Sequence, residues 1–129
     1  MKEIELNLPK IIEKNEKLKN GNVTEIQSNE EFEKITSSDS KDQLIILYFH
    51  STISDSCKFM NPIYSKESVV YPTCKFIKID SDKHSNVTEF YQISSLPSFI
   101  FIKQNEEIDR LEGVNQTEFL TKLLNHSSH

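Results

Sequence analysis

The sequence predicts an α/β fold, and two adjoining stretches carry that prediction. The apolar run at residues 44–49 does not alternate with polar residues, which is typical of a strand buried on both faces within a parallel sheet. The next residues carry the signals of a helix start, because Ser54 is a good N-cap and Asp55 suits a first turn at the positive end of the helix dipole. Cys57 therefore stands at the carboxyl end of a central strand, where open α/β sheets bind their ligands.

Four further strands are expected, and they lie at residues 23–26, 75–80, 98–103 and 107–112. The last two form a hairpin about residues 104–106, where Asn105 suits the positive φ that a tight turn needs. A polar loop at residues 37–41 leads into the central strand. With the helices, the order becomes β-α-β-α-β-α-β-β-α. This order predicts one domain with a central mixed sheet of four or five strands flanked by helices.

Capping side chains mark the starts of the helices. Ser28 and Glu31 fit a capping box, and Asn115 caps the last helix. The helix after Ser54 contains Pro62, which removes one backbone hydrogen bond and is expected to kink it. The residues expected to face the core from these elements are Phe32, Ile35, Phe76, one of Ile77 and Ile79, Val87, Phe90, Tyr91, Phe119, Leu120, Leu123 and Leu124.

From about residue 23 to residue 124 the chain resembles a thioredoxin. The resemblance is carried by residues 42–62, Asp80, the run Ser95-Leu96-Pro97-Ser98-Phe99 and Gly113. The family's active-site motif is Trp-Cys-Gly-Pro-Cys-Lys, and the matching residues here are Ile53-Ser54-Asp55-Ser56-Cys57-Lys58. The second cysteine and the lysine are kept, whereas the tryptophan and the first cysteine are replaced. The resemblance implies the thioredoxin fold over residues 23–125, with an N-terminal extension at 1–22 and a C-terminal tail at 126–129.

The resemblance also implies which residues form the site. Ser54 and Cys57 occupy the catalytic positions, and the expected substrate-binding residues are Ile53, Asp55, Ser56, Leu96 and Pro97. In this family the bond before the proline is cis, and the backbone of the preceding residue pairs with an extended substrate chain like an added strand. A cis bond before Pro97 is therefore expected.

Two departures from the family pattern bear on the chemistry. Dithiol turnover needs two thiols, one to attack and one to resolve the mixed disulfide, and Ser54 cannot form a disulfide. Tyr48 stands where thioredoxins carry a buried aspartate that assists proton transfer, and a tyrosine with a pKa of about 10 is a poor base at neutral pH. His50 lies on the same side of the strand, where a structural or solvated role is favoured over that of a proton acceptor. Cys57 fits a small buried hydrophobe as well as a reactive thiol.

Three functions are open on this basis. The first is a thioredoxin-like protein of cell redox homeostasis that binds thiol or peptide clients and lacks ordinary dithiol-disulfide turnover because of Ser54. The second is a monothiol redox protein in which Cys57 forms mixed disulfides with a client or with glutathione. The third, a glutathione-transferase-like use of Ser54, is disfavoured because that family adds a large helical domain, which 129 residues do not hold. Whether the protein is an enzyme is left undecided.

Composition narrows the range of partners. A net charge of −5 without a cluster of Lys or Arg argues against nucleic acid. No apolar stretch approaches a membrane span or the core of a signal peptide. We therefore expect a cytoplasmic monomer with protein or peptide clients, glutathione as a further partner, and neither a metal site nor a cofactor. Cys57 and Cys74 are expected to lie more than about 10 Å apart, too far for a disulfide.

Overall fold

The structure is a computed structural model that describes residues 21–37 and 42–127. Most of the expected N-terminal extension and most of the loop at 37–41 lie outside the described residues. In chain order the elements are β1 (Val23–Glu25), α1 (Asn29–Thr36), β2 (Ile45–His50), α2 (Asp55–Val70), β3 (Lys75–Asp80), α3 (Ser85–Phe90), β4 (Ser98–Lys103), β5 (Glu106–Glu112) and α4 (Gln116–Ser127). Within the described part of the chain, no helix has the length and apolar character needed to cross a membrane.

The five strands form one mixed sheet in the order β1-β3-β2-β4-β5. β3 runs parallel to both β1 and β2, whereas β4 is antiparallel to β2 and β5 is antiparallel to β4. β2 is therefore central, and all six of its residues are buried, as its uninterrupted apolar run predicts. The α/β class and the mixed sheet of four or five strands are confirmed.

Helices cover both faces of the sheet, so the protein has a core on each side. On one side α2 and α4 pack on the sheet, and the buried residues include Ile46, Tyr48, Met60, Tyr64, Phe76, Phe99, Phe101, Phe119 and Leu123. On the other side α1 and α3 cover Ile45, Leu47, Phe49, Ile77, Ile79, Ile100 and Ile102. Ile77 and Ile79 are two residues apart, so both lie on the face of β3 that α1 and α3 cover, and both are buried. The expectation that only one of these two isoleucines faces inward is wrong.

The predicted caps at Ser28 and Asn115 are present, but Glu31 reaches back to the residue before the cap and not to the cap itself. The Glu31 N–H donates to Ser28 Oγ at 3.1 Å, and Glu31 Oε1 accepts from the Gln27 N–H at 2.7 Å. The Glu118 N–H likewise donates to Asn115 Oδ1 at 3.0 Å. Each of these bonds joins residues no more than four positions apart, so the local sequence is sufficient to predict them.

Two residues expected in the core are exposed instead. Phe90 is 77% exposed and Leu124 is 59% exposed. α3 has only six residues, and the residue that follows it, Tyr91, packs edge-on against Phe32 on the core side. In α4 the adjacent Leu123 is fully buried, and one further residue along a helix turns the side chain by about 100°. Each of these two helices therefore turns fewer residues towards the core than its apolar pattern predicted.

Several element boundaries differ from the prediction by one or two residues, among them the start of β5 and the end of α4. Gln104 and Asn105 both have positive φ, at 55° and 64°, so they form a two-residue turn and Glu106 begins β5. Such a turn matches the right-handed twist of the strands that it joins. At the other end of the chain, α4 continues to Ser127, so residues 126 and 127 of the expected tail are helical.

Candidate functional site

The predicted site residues lie at one end of the sheet. β2 ends at His50, and a four-residue loop leads to α2, whose first turn contains Cys57. In the neighbouring strand β4, Ser98 pairs with Phe49 of β2, which places the preceding residue Pro97 beside the end of β2. The peptide bond between Leu96 and Pro97 is cis. The structure thus brings the Ser-x-x-Cys stretch and the Leu96-Pro97 pair to the same edge.

Ser54 and Cys57 are joined by a helix cap. Ser54 has an extended backbone, and its Oγ accepts a hydrogen bond from the Cys57 N–H at 3.3 Å. Its carbonyl oxygen accepts from the Lys58 N–H at 3.2 Å. Ser54 is half-buried, whereas Cys57 has no exposed surface. The thiol of Cys57 is therefore out of reach of solvent while the first turn of α2 is intact.

Tyr48 lies beneath this turn. Its hydroxyl oxygen is 2.8 Å from the carbonyl oxygen of Cys57 and 2.7 Å from Oδ1 of Asn61. Burial, together with the nearby Cys57 thiol, raises the pKa of Tyr48 well above its ordinary value. The residue is therefore a hydrogen-bond donor and not a base at neutral pH. Sequence reasoning missed Asn61, although its spacing of four from Cys57 places both residues on one helix face.

His50 is the second polar group under the site. It is 3% exposed, its ring centroid is 5.6 Å from that of Tyr48, and its Nε2 has no hydrogen-bond partner among the described residues. Burial lowers the pKa of His50, and the Lys78 cation adds to this effect; the carboxylates of Asp80, Glu25 and Asp82 oppose it. His50 is therefore neutral at neutral pH. Its direction could not be read from the sequence, and the structure turns it inward.

The loop between β2 and α2 is braced by a side-chain pair that the sequence did not indicate. Ser51 Oγ donates to Asp82 Oδ2 at 2.9 Å, and the Asp82 N–H donates to Asp80 Oδ1 at 2.9 Å. Asp80 is itself buried at the end of β3. The bond from Ser51 to Asp82 links residues 31 positions apart, so it arises from the parallel pairing of β2 and β3 and leaves no local signal.

The surface around the site is apolar, and it also carries a pair of opposite charges that solvent screens. Ile53, just before the cap, is 85% exposed, and Phe59 in α2 is 53% exposed. The side chains of Asp55 and Lys58 lie 3.7 Å apart and are 98% and 63% exposed, so their attraction is weak. Leu96 is half-buried, and its backbone N–H and C=O have no hydrogen-bond partner among the described residues. This edge therefore offers apolar contact and unpaired backbone groups.

Two other features lie away from this edge. A hollow of about 640 Å³ between α1 and α3 is lined in part by Phe32, Val87, Phe90 and Tyr91, and none of the predicted site residues lines it. Cys74 is half-buried at the start of β3, and the neighbouring Lys75 N–H donates to the Leu44 carbonyl at 2.9 Å, at the opposite end of the sheet from Cys57. Both cysteines are free thiols.

Comparison with known proteins decides the family. The family model for thioredoxins matches residues 23–126. The chain belongs to the thioredoxin family. The resemblance that the motif and the element order suggested is confirmed.

The curated relatives of this thioredoxin-family protein are longer proteins. The TPR repeat-containing thioredoxin TDX of Arabidopsis thaliana is 36% identical over 86% of this chain and 30% of its own length. Glutaredoxin-3 of Homo sapiens is 31% identical over 82% of this chain and 31% of its own length. Monothiol glutaredoxin-4 of Saccharomyces cerevisiae is 29% identical over 78% and 42%. The chain spans less than half of the length of each of these relatives. The similarity supports a redox-related protein with the thioredoxin fold.

Solved structures agree with this assignment. Thioredoxin NaTrxh from Nicotiana alata superposes with a TM-score of 0.78 at 31% identity, covering 81% of this chain and 92% of that one. The poplar thioredoxin h PtTrxh4 superposes with a TM-score of 0.79 at 27% identity, covering 84% and 99%. The thioredoxin fold predicted from the sequence is confirmed.

Proposed function

We propose that this thioredoxin-family protein binds protein or peptide clients in cell redox homeostasis and has no ordinary dithiol-disulfide turnover. One observation carries the proposal: the position of the attacking cysteine is held by Ser54, whose hydroxyl caps α2 by accepting from the Cys57 N–H at 3.3 Å. A serine at that position can cap the helix but cannot form a disulfide with a client. The protein then keeps the edge at which the family binds its substrates but lacks the dithiol-disulfide reaction.

The second half of the dithiol reaction is weakened as well. A resolving thiol needs a group that takes its proton, and the family's buried carboxylate is replaced by Tyr48. Tyr48 is fully buried and its pKa is raised, so it cannot accept a proton at neutral pH. Cys57 is also fully buried. Loss of the attacking group, of the base and of thiol access all favour binding over turnover.

The binding edge supports an extended apolar segment as the client. An added strand needs unpaired backbone groups, which Leu96 supplies, and nearby apolar surface, which Ile53 supplies with 85% exposure. We assign Asp55 and Ser56, both exposed, to polar contacts with the client, and Pro97 to the backbone next to Leu96. Glutathione, a short peptide, is proposed as a smaller ligand of the same edge.

We further propose that the domain at residues 23–125 acts as a monomer in the cytoplasm. Its free thiols suit a reducing compartment, in which disulfides rarely persist. The net charge of −5 over the full chain disfavours nucleic acid as a partner.

The binding proposal is tested with S-carbamidomethylated insulin B chain, an extended peptide that carries no thiol. We expect it to bind the wild-type protein and the Cys57→Ser variant equally in a calorimetric titration, because no thiol is needed. Ile53→Asp should weaken binding about tenfold by placing a charge in the apolar contact. Val70→Asp is the matched control, since Val70 is also exposed, at 56%, but lies at the far end of α2. An equal loss in both variants, or no binding at all, would overturn the proposal.

A second candidate function is monothiol chemistry at Cys57, which the relation to monothiol glutaredoxin-4 favours. Here Cys57 would form a mixed disulfide with glutathione by exchange with oxidised glutathione, releasing one reduced glutathione. Mass spectrometry after incubation with oxidised glutathione shows which cysteine is modified. A glutathione adduct on Cys57 that forms faster than one on half-buried Cys74 would support this function, and the reverse order would exclude it.

A further inference from the structure

Tyr48 connects the centre of the sheet to the first turns of α2. Its hydroxyl lies 2.8 Å from the carbonyl oxygen of Cys57 and 2.7 Å from Oδ1 of Asn61, one helical turn later. A tyrosine hydroxyl has a single proton, which these two acceptors share. The side chain therefore ties two successive turns of the helix to one point on the sheet.

The ring of Tyr48 has no freedom to carry the hydroxyl elsewhere. It stacks on Phe99 with centroids 4.8 Å apart and planes 12° apart, and it packs against Tyr64 at 4.8 Å. Tyr48 has no exposed surface. Since close-packed aromatic rings resist displacement, the hydroxyl is a fixed donor and the helix must move if the bond is to break.

The tie lies beside a gap in the backbone hydrogen bonds of the helix. Pro62 has no N–H, so the carbonyl of Lys58 lacks the donor that a continuous helix would provide. The first turn is thus held to the rest of α2 by fewer backbone bonds than an ordinary helix. Cys57 and Asn61 both precede Pro62, so the Tyr48 hydroxyl holds the segment on the N-terminal side of this break.

We propose that Tyr48 is a positioning residue that holds the first turn of α2 closed over Cys57. The Cys57 thiol then reacts only from a conformation in which the bond from Tyr48 to the Cys57 carbonyl is broken. This inference does not rest on client binding. It concerns whether the Cys57 thiol is accessible to a reagent or client. On this proposal Tyr48 decides whether Cys57 stays inert, as in a binding protein, or reacts, as in a monothiol redox protein.

The test compares two variants that lose the same chemical group. Tyr48→Phe keeps the ring and removes the hydroxyl from Cys57 and Asn61. Tyr64→Phe is the matched control, because the Tyr64 hydroxyl lies 2.9 Å from the carbonyl of Ile46 and 2.8 Å from that of Ile77, and the residue is likewise buried in the same core. Both variants lose hydrogen bonds to backbone carbonyls, but only one touches the turn that covers the thiol.

The measurement is the rate of alkylation by iodoacetamide at each cysteine, read by peptide mass spectrometry at one pH. We expect Tyr48→Phe to raise the Cys57 rate about tenfold relative to Cys74, the internal reference, because a lost buried hydrogen bond favours opening by that factor. Tyr64→Phe should leave the ratio of the two rates unchanged, although it destabilises the whole fold. A general loss of stability would change the ratio of the Cys57 rate to the Cys74 rate alike in both variants. A change of this ratio in Tyr48→Phe alone therefore indicates a positioning role and not a loss of stability.

Two results would overturn the inference: an unchanged Cys57 rate in Tyr48→Phe, or an equal increase in Tyr64→Phe. Should Tyr48→Phe fail to fold, the wild-type protein is alkylated in graded urea. Opening of one helical turn exposes little surface, so local opening requires a Cys57 rate that is nearly independent of urea well below the global unfolding transition. A Cys57 rate that follows the global free energy of unfolding at every urea concentration would show that the turn does not open by itself, and the positioning role would be lost.

Discussion

Ser54 Oγ accepts the Cys57 N–H at 3.3 Å, so the two ends of the Ser-x-x-Cys motif are joined by a helix cap and not by a disulfide. In a dithiol thioredoxin the same two positions exchange a disulfide bond during turnover. Here the cap fixes Ser54 at the helix start and leaves Cys57 buried behind it. The geometry of the family's site is retained while one of its two reacting atoms is replaced.

Reduction of insulin disulfides tests this replacement. The wild-type protein should reduce insulin at the background rate in a thioredoxin reductase assay, because Ser54 cannot attack a disulfide. Ser54→Cys should gain measurable activity, but about a hundredfold below that of a complete thioredoxin, because Tyr48 cannot act as the base. The control Ser54→Cys/Cys57→Ser should have none. Activity in the wild-type protein that Cys57→Ser abolishes would identify Cys57 as a working nucleophile and contradict this expectation.

His50 should make the protein less stable in weak acid. Burial lowers its pKa below the ordinary value of 6.5, with Lys78 adding to the effect, so the unfolded chain binds its proton first as the pH falls. The contribution of neutral His50 to the free energy of unfolding is therefore fully present above about pH 6.5. It is lost as the pH falls from about 6.5 towards the lower pKa that His50 has in the folded protein. The groups facing it on the packed elements are Tyr48, Lys78, Asp80, Asp82 and Glu25.

The measurement is the free energy of unfolding in urea at about pH 7.5 and about pH 5.5. The difference between the two should be smaller in His50→Phe than in the wild-type protein, because phenylalanine does not titrate. All other ionisable groups are the same in the two proteins, so their contributions cancel in the comparison. An equal pH dependence in the two proteins would show that His50 takes up its proton without cost to the fold.

A carboxylate on β5 should stabilise the end of α4. Asp109 accepts from Lys122 Nζ at 2.9 Å and lies 2.7 Å from His126 Nε2. Burial alone would raise the pKa of Asp109, but the hydrogen bonds from Lys122, His126 and the Arg110 backbone lower it to about 2. A lowered carboxyl pKa gives stability that is present above the ordinary value of 3.8 and is lost as the pH falls through about 2.

Asp109→Asn should therefore lower the free energy of unfolding by about 1.5 kcal/mol at about pH 7, allowing for partial exposure of the group. At about pH 3 the difference from the wild-type protein should narrow. Lys58→Gln serves as the control, because its exposed pair with Asp55 should leave the urea midpoint unchanged. A loss in Asp109→Asn that is the same at both pH values would rule out the titrating carboxylate as its source.

Gly21 should tolerate a side chain less well than Gly113. Both have positive φ, at 62° and 86°, so alanine is strained at either position. A Cβ at Gly21 would also collide with the carbonyl oxygen of Ser65 and the hydroxyl of Ser68. A Cβ at Gly113 would have no atom of the described residues within 4 Å. Gly21→Ala should cost about 2–4 kcal/mol and Gly113→Ala about 1 kcal/mol, measured by urea unfolding. Equal losses would show that β1 moves away from α2 at little cost.

The sequence alone determined the elements and their order. The central strand follows from the uninterrupted apolar run at residues 44–49, and the helix starts follow from Ser28, Ser54 and Asn115. These signals act between residues no more than four positions apart, so they do not depend on where the rest of the chain lies. The family motif predicted a candidate site at residues 53–58, because these motif residues are consecutive in the chain.

Only the tertiary structure decided what those residues touch. Phe90 and Leu124 belong to apolar patterns and are exposed, because their helices offer the core too narrow a face. Tyr48 and His50 are predicted on one side of a strand. The contact of Tyr48 with Asn61, and the burial of His50 Nε2 without a partner among the described residues, arise where α2 crosses the sheet. A side chain's partner across a sheet or helix depends on strand register and packing between residues distant in the chain, and no local pattern records either.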